Sequence, residues 1–198
     1  MGDIVGYGAN PNEVVELVRQ REAVAVMGNH DYAAVSGETG GFNASAAMGA
    51  RWTRDRLTPD SARFLGSLAS QRDIDIEGAP FHLVHGSPDD PLWEYVDPST
   101  HSQLFSHYLA RLHSKALALG HTHVPFVWSG PEGTVFNPGS VGQPRDGDWR
   151  ASYAVAVIEN GAVTVELCRT EYDWRSAANK IMEAGLPARF ADRLRTGN

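Results

Sequence analysis

Gly120-His121-Thr122-His123 follows the short apolar run Ala116 to Leu119, and this junction decides how the chain is read. Four apolar residues closed by a glycine describe a buried strand running into a turn. On a turning backbone, two imidazoles one residue apart can reach two neighbouring cations, and the glycine permits close approach. Taken alone, a His-x-His pair is more simply two loop histidines. Further strand-like segments end the same way. Pro80 to Val84 runs into His85-Gly86-Ser87, and Ala23 to Met27 runs into Gly28-Asn29-His30-Asp31. Thr134 to Phe136 leads to Asn137-Pro138-Gly139-Ser140, and Gly2-Asp3 opens the chain. His85 could be an ordinary strand-end residue, and Gly-Asn-His-Asp is good turn chemistry. Those bland explanations would all have to hold at once. Carboxylate and amide oxygens suit hard cations and imidazole suits borderline ones, so together the segments read as ligands for divalent metal.

The surrounding pattern is one of strand–helix alternation followed by hairpins. Asn10-Pro11 starts a helix with Val14, Val15, Leu17 and Val18 on its apolar face, and Thr58-Pro59 starts another. Ser99 to His113 and Trp174 to Ala184 also carry helical spacing, while Gly37 to Gly49 reads as a loop leading into a helix. Phe126 to Trp128 and Thr134 to Phe136 form one predicted hairpin. Tyr153 to Ile158 and Val163 to Leu167 form a second around Asn160-Gly161. The organisation predicts an α/β domain of two stacked sheets with helices outside, covering residues 1–198, with the ligand motifs on one rim.

A formal net charge of −7 argues against a sequence-independent grip on nucleic-acid backbone. It leaves an anionic substrate open, because bound cations reverse the local field. The single cysteine, Cys168, rules out an internal disulfide and reads as a core residue. No run approaches the ~18 apolar residues of a membrane span. The first residues also lack a secretion signal, so the expected location is the cytoplasm.

In this order the five segments are specific, and the chain resembles the calcineurin-like metallophosphoesterase family, in its small bacterial phosphodiesterase-like branch. The resemblance runs from Gly2-Asp3-Ile4-Val5-Gly6-Tyr7-Gly8 to Asn137-Pro138-Gly139-Ser140-Val141-Gly142. It implies a four-layer sandwich of two stacked mixed β-sheets flanked by helices. It also implies that Asp3 bridges two metals, that Asn29, His85 and His121 complete one site, and that His123 serves the other. His30 would sit over the leaving group as general acid, with Asp31 either orienting it or acting as a plain turn or cap residue. The implied cofactors are divalent ions, Mn²⁺ first, with Fe, Zn, Ni or Co as alternatives; no organic cofactor is implied. The implied reaction is in-line attack by metal-bound hydroxide on a small phosphorylated molecule or phosphodiester. Ser140 is a candidate phosphate contact. Arg145 near the rim could bind a phosphate oxygen but reads more simply as a solvated surface arginine, and Trp93 and Tyr95 read as rim aromatics that could stack a base.

The family pattern begins with a strand ending in Asp-x-His and a helix, and nothing in this chain supplies them. The expectation is therefore an N-terminally incomplete domain lacking its first β-α unit, with one tightly held metal rather than two. Exposed sheet edges would favour a homo-oligomer. The rival reading is a catalytically weak metal-binding or scaffold module.

Overall fold

Alternating side chains sort the two faces of a five-stranded sheet. The structure is a computed structural model that describes residues 1–99 and 101–198 in full and Thr100 by its backbone. Its first four helices are α1 (Pro11–Gln20), α2 (Asn29–Ser36), α3 (Ala44–Arg54) and α4 (Pro59–Gly66). Strands β1 (Gln71–Ile76) and β2 (Ala79–Val84) follow, then α5 (Pro98–Leu112) and β3 (Ala116–Ala118). Two hairpins come next, β4 (Phe126–Gly130) with β5 (Gly133–Asn137), and β6 (Ala151–Glu159) with β7 (Ala162–Thr170). Helices α6 (Trp174–Glu183) and α7 (Ala188–Thr196) complete the chain.

The large sheet has the order β1-β2-β3-β5-β4, and β6 and β7 form a separate antiparallel pair. Phe81, Leu83, Ala116, Ala118 and Phe136 pack with Val26 on one face of the large sheet, against Val163, Val165, Ala154 and Ile158 of the second hairpin. The intervening residues Val84, Leu117, Leu119 and Val135 pack on the opposite face with Phe105, Tyr108 and Leu109 of α5. Period two thus separates a sheet-on-sheet core from a sheet-on-helix core. A third cluster joins α6 and α7 to Tyr7 and Trp52, where the Trp52 indole N–H donates to Ala184 O at 2.9 Å.

The sheet order also makes the rim. Strands β2, β3 and β5 are mutually parallel, so their C-terminal ends emerge together. The rim is stitched beyond the strands. Gly120 N–H donates to His85 O at 2.9 Å, and the Asn137 side-chain amide donates to Gly120 O at 2.6 Å.

Helix starts follow the sequence signals closely. Thr58 accepts a bond from Ser61 N–H at 3.2 Å, and α1 and α4 carry proline in their first turn. Asn10 takes the N-cap place of α1, but its amide donates to Glu13 instead of capping the backbone. Three readings need correction. Ala23 to Met27 is buried at Val26 but is not a strand among the described residues; Met27 N–H donates to Ala69 O, outside any strand ladder. Asn29 to Asp31, for which a plain turn was the bland alternative, opens α2 instead. Cys168 is half-buried, since core-facing Val163 and Val165 leave it on the other side of the strand. No helix among the described residues is long and apolar enough to cross a membrane.

Phe105 is fully buried, with its ring 5.9 Å from that of Phe126 and 5.4 Å from that of Trp128. Phe105→Ala is expected to cost about 3–5 kcal/mol through the cavity it leaves, read as a lowered urea midpoint.

Candidate metal centre

Three histidines reach the rim with one ring nitrogen already committed. His85 Nδ1 lies 2.7 Å from Met1 O, His121 Nε2 3.2 Å from Trp93 O, and His123 Nδ1 2.6 Å from Gln143 O. A carbonyl oxygen can only accept, so each of those nitrogens carries the proton and the opposite nitrogen keeps its lone pair. The free lone pairs are on His85 Nε2, His121 Nδ1 and His123 Nε2. Backbone carbonyls locking imidazole tautomers in this way are the usual outer support of metal-binding histidines.

Two of these lone pairs face each other. His85 Nε2 lies 3.1 Å from His121 Nδ1, 3.2 Å from Asn29 Oδ1 and 3.5 Å from Asp3 Oδ2. Ligand atoms of Asp3, His85 and His121 all fall within 4.8 Å of one another. Burial holds both imidazoles down to about 4, so neither is protonated near neutral pH to bridge the other. Asp3 Oδ2 is buried and has no hydrogen-bond partner. Acceptors gathered around a point without a donor repel unless a cation stands among them. The residues therefore fit a divalent ion, with carboxylate, amide oxygen and two imidazoles as donors.

The backbone is shaped to hold this cluster. Asp3, His121 and His123 all have left-handed φ, at 52°, 63° and 61°. Such conformations cost of order 1–3 kcal/mol each in a non-glycine residue and persist only when the surroundings enforce them. Gly28 is required beside Asp3: a Cβ there would lie 2.2 Å from both the Asp3 amide nitrogen and Oδ1. The second Asp3 oxygen, Oδ1, accepts from His30 N–H at 2.9 Å, tying the first turn of α2 to the cluster.

Asp31 is fully buried, and its carboxylate accepts from Gly28 N–H at 3.0 Å and Val5 N–H at 3.1 Å. It thus clamps the start of α2 to the segment bearing Asp3. No hydrogen bond joins it to the His30 ring, so the expected direct orienting contact is not formed and the cap-like role is the one seen. Burial and the adjacent Asp3 charge push Asp31 up to about 7.

His30 is buried against Gly6 and stacks near Tyr7 and Phe42, at 4.2 and 4.6 Å between ring centroids. Its Nδ1 has no partner, and burial depresses it to about 4. His123 stands outside the three-residue cluster, with its ring edge-on to Tyr7 at 5.8 Å. Burial and then Arg145 hold it well below its ordinary range. Together with Asp3, Asn29, His30 and His121 it lines a cleft of about 590 Å³.

Arg145, expected on the surface, is a half-buried cleft residue whose guanidinium donates to the Tyr7 hydroxyl at 2.9 Å. Trp93 and Tyr95 do line the cleft, and the Tyr95 ring lies 3.9 Å from that of His121. Ser140 does not; its hydroxyl accepts from Gln143 N–H within its own turn. Tyr7, Phe42, Arg189 and Arg193 also line the cleft and were not singled out from the sequence. The pairing of Arg189 with Arg193, four residues apart, was the available signal for the last two.

Residues 1–161 match the family model of the calcineurin-like phosphoesterase superfamily domain. The chain belongs to that superfamily. It is 36% identical to the uncharacterized protein MJ0912 of Methanocaldococcus jannaschii, with all of this chain and 85% of that protein aligned. It superimposes with a TM-score of 0.81 on a metallophosphoesterase from Sphaerobacter thermophilus, at 34% identity over all of this chain and 86% of the other. A hypothetical protein of Pyrococcus horikoshii OT3 gives a TM-score of 0.87 at 20% identity, over all of this chain and 83% of the other, a likeness of fold alone. The expected two-sheet α/β architecture is that of the family, with five strands in one sheet and a hairpin as the other.

Four of the buried histidines, His30, His85, His121 and His123, set a pH dependence. Each has a folded pKa below its ordinary value, so between about pH 6.5 and 4 the unfolded chain binds more protons and stability falls as pH falls. Asp31, raised, acts in the opposite sense: its contribution is lost as pH rises through about 7. Histidines outnumber it, so the melting temperature of chelator-treated protein should drop steadily from pH 6.5 to 4. The slope is up to roughly 1.4 kcal/mol per pH unit for each net proton. A flat profile across that window would mean that these imidazoles are not buried in neutral form.

Proposed function

We propose that this calcineurin-like phosphoesterase hydrolyses a phosphodiester of a small molecule, using one tightly held divalent ion, Mn²⁺ first, bound by Asp3, Asn29, His85 and His121. The observation that carries this reading is the donor-free cluster around His85 Nε2, with Asp3 Oδ2 unpartnered beside it. A mixed oxygen and nitrogen set suits manganese and its first-row neighbours better than a closed structural zinc site. When bound, such an ion supplies Lewis-acid polarisation of a phosphoryl oxygen and lowers the pKa of water.

The protein's own residues supply position and protons. Arg145, held by Tyr7, offers guanidinium N–H groups to a phosphoryl oxygen at the end of the cleft nearest the histidines. Its proximity is supported by the depression it causes in His30, His121 and His123. His30 is assigned the leaving-group proton. Its Nδ1 is shut against Gly6, which leaves Nε2 to serve the cleft. Burial keeps the resting ring neutral, and an incoming phosphate anion favours its protonated form. Asp31 acts as a positioning residue, fixing the turn from which Asn29 and His30 project. His123, outside the tight cluster, would be free to hold a second and weaker ion.

That same displacement of His123 favours a second reading, a metal-binding module with little turnover. Bis(4-nitrophenyl) phosphate separates the two. The expected result is cleavage that requires added Mn²⁺ and stops with chelator, with one ion per chain surviving dialysis. His30→Ala is expected to lower kcat by about 10²–10⁴-fold with the ion retained. Asn29→Ala should lose both the ion and the activity. Metal binding with no rate above the chelated control would instead establish the second reading.

A further inference from the structure

Part of the cleft wall is built by α7, which lies beyond the residues matched by the family model. Arg189 and Arg193 occupy positions four apart on that helix and line the cleft with Arg145. Their placement is poor for the helix itself. Like charges at that spacing repel, and Arg189 sits in the first turn, where the helix dipole disfavours a cation. None of the three has a carboxylate within ion-pair distance among the described residues, although the chain has 24 Asp and Glu against 17 Lys and Arg. Arg193 Nη1 donates only to the Gln143 side-chain oxygen at 3.3 Å, and the buried Nε atoms of Arg145 and Arg193 have no partner. Guanidinium groups that line one concavity without a carboxylate partner call for an anion, and the planar fork of donors suits phosphate oxygens.

We propose that Arg189 and Arg193 form a subsite for a second phosphate group on the substrate, so that the preferred ester carries one phosphate at the metal ligands and another at α7. This rests on the phosphoesterase reading of the metal end. Arg145 neighbours both ends, since its charge is felt by His121 and by Arg193. Burial and then the charges of Arg145 and Arg189 press the Arg193 guanidinium down from its ordinary value, which an anion among them would relieve. Gln143 couples the subsite to the centre: its side chain meets Arg193 and Phe190 O, while its carbonyl accepts a hydrogen bond from His123 Nδ1–H.

Inorganic phosphate titrated calorimetrically into the chelator-treated full chain tests the subsite without any ion. Binding at one site is expected, weakened at least tenfold by Arg189→Ala and by Arg193→Ala and partly kept by Arg189→Lys. Arg189 is exposed, so its variant should fold even if loss of the Gln143 contact disturbs the other. With Mn²⁺, thymidine 3′-phosphate 5′-(4-nitrophenyl phosphate) should then show at least a tenfold higher kcat/KM than the same diester lacking the 3′-phosphate. Arg189→Ala should reduce that preference below threefold. Phosphate binding indifferent to both alanine variants, or cleavage indifferent to the 3′-phosphate, overturns the proposal. Arginine-dependent phosphate binding with neither diester cleaved upholds the subsite and rejects the hydrolase reading instead.

Discussion

Two imidazole lone pairs 3.1 Å apart, on His85 and His121, are the constraint around which this molecule is arranged. Water or a protonated ring would ordinarily relieve such a contact, but both rings are buried and held neutral. Carbonyls of Met1 and Trp93 fix which nitrogen keeps its lone pair. Left-handed backbone at Asp3 and His121 aims the ligand atoms inward. The facing lone pairs and the left-handed backbone each cost stability, and a cation in the centre would account for both. Local strain of this kind clusters at functional sites and persists only where the surroundings enforce it.

The frame that tolerates this strain is the parallel trio β2, β3 and β5. Parallel pairing forces three strand ends to one rim, and the buried cores on both faces of the sheet keep those ends from moving. Asp3 and Asn29 come from outside the sheet, and their placement depends on Asp31. One buried carboxylate takes backbone N–H groups from both Val5 and Gly28, so the Asp3 segment and α2 behave as one body. Losing that carboxylate would leave two buried donors unpaired and free the two ligands to part.

The sequence showed the frame more fully than the cleft. Hairpins at Gly130 to Gly133 and Asn160-Gly161 and the proline-started helices declared themselves through turn and cap chemistry, which is local. The strand-end motifs were legible because glycine and histidine after an apolar run have few other uses. Strand β1 and helix α7 were not, because Gln71 to Ile76 is a polar edge strand and α7 starts without a capping side chain. The carbonyl partners of the histidines were beyond reach, since a backbone oxygen leaves no trace in residue identity. Tyr7 was passed over for a similar reason: its contacts to His30, His123, Phe190 and Arg145 span the chain and follow only from tertiary packing.

Charge distribution links the centre to its surroundings. The molecule is acidic overall, yet its cleft gathers Arg145, Arg189 and Arg193 beside a cation-binding cluster. Concentrating positive charge in a concavity whose walls include Phe42 and Trp93 focuses the field there, because low-dielectric walls screen it poorly. On the proposed reading, an anionic ester is drawn to one mouth of a protein that otherwise repels it. Burial is the main reason that His30 stays neutral at rest, and the Arg145 charge adds to it. On that same reading, proton donation by His30 is coupled to occupancy, since a bound anion raises the affinity of the ring for a proton.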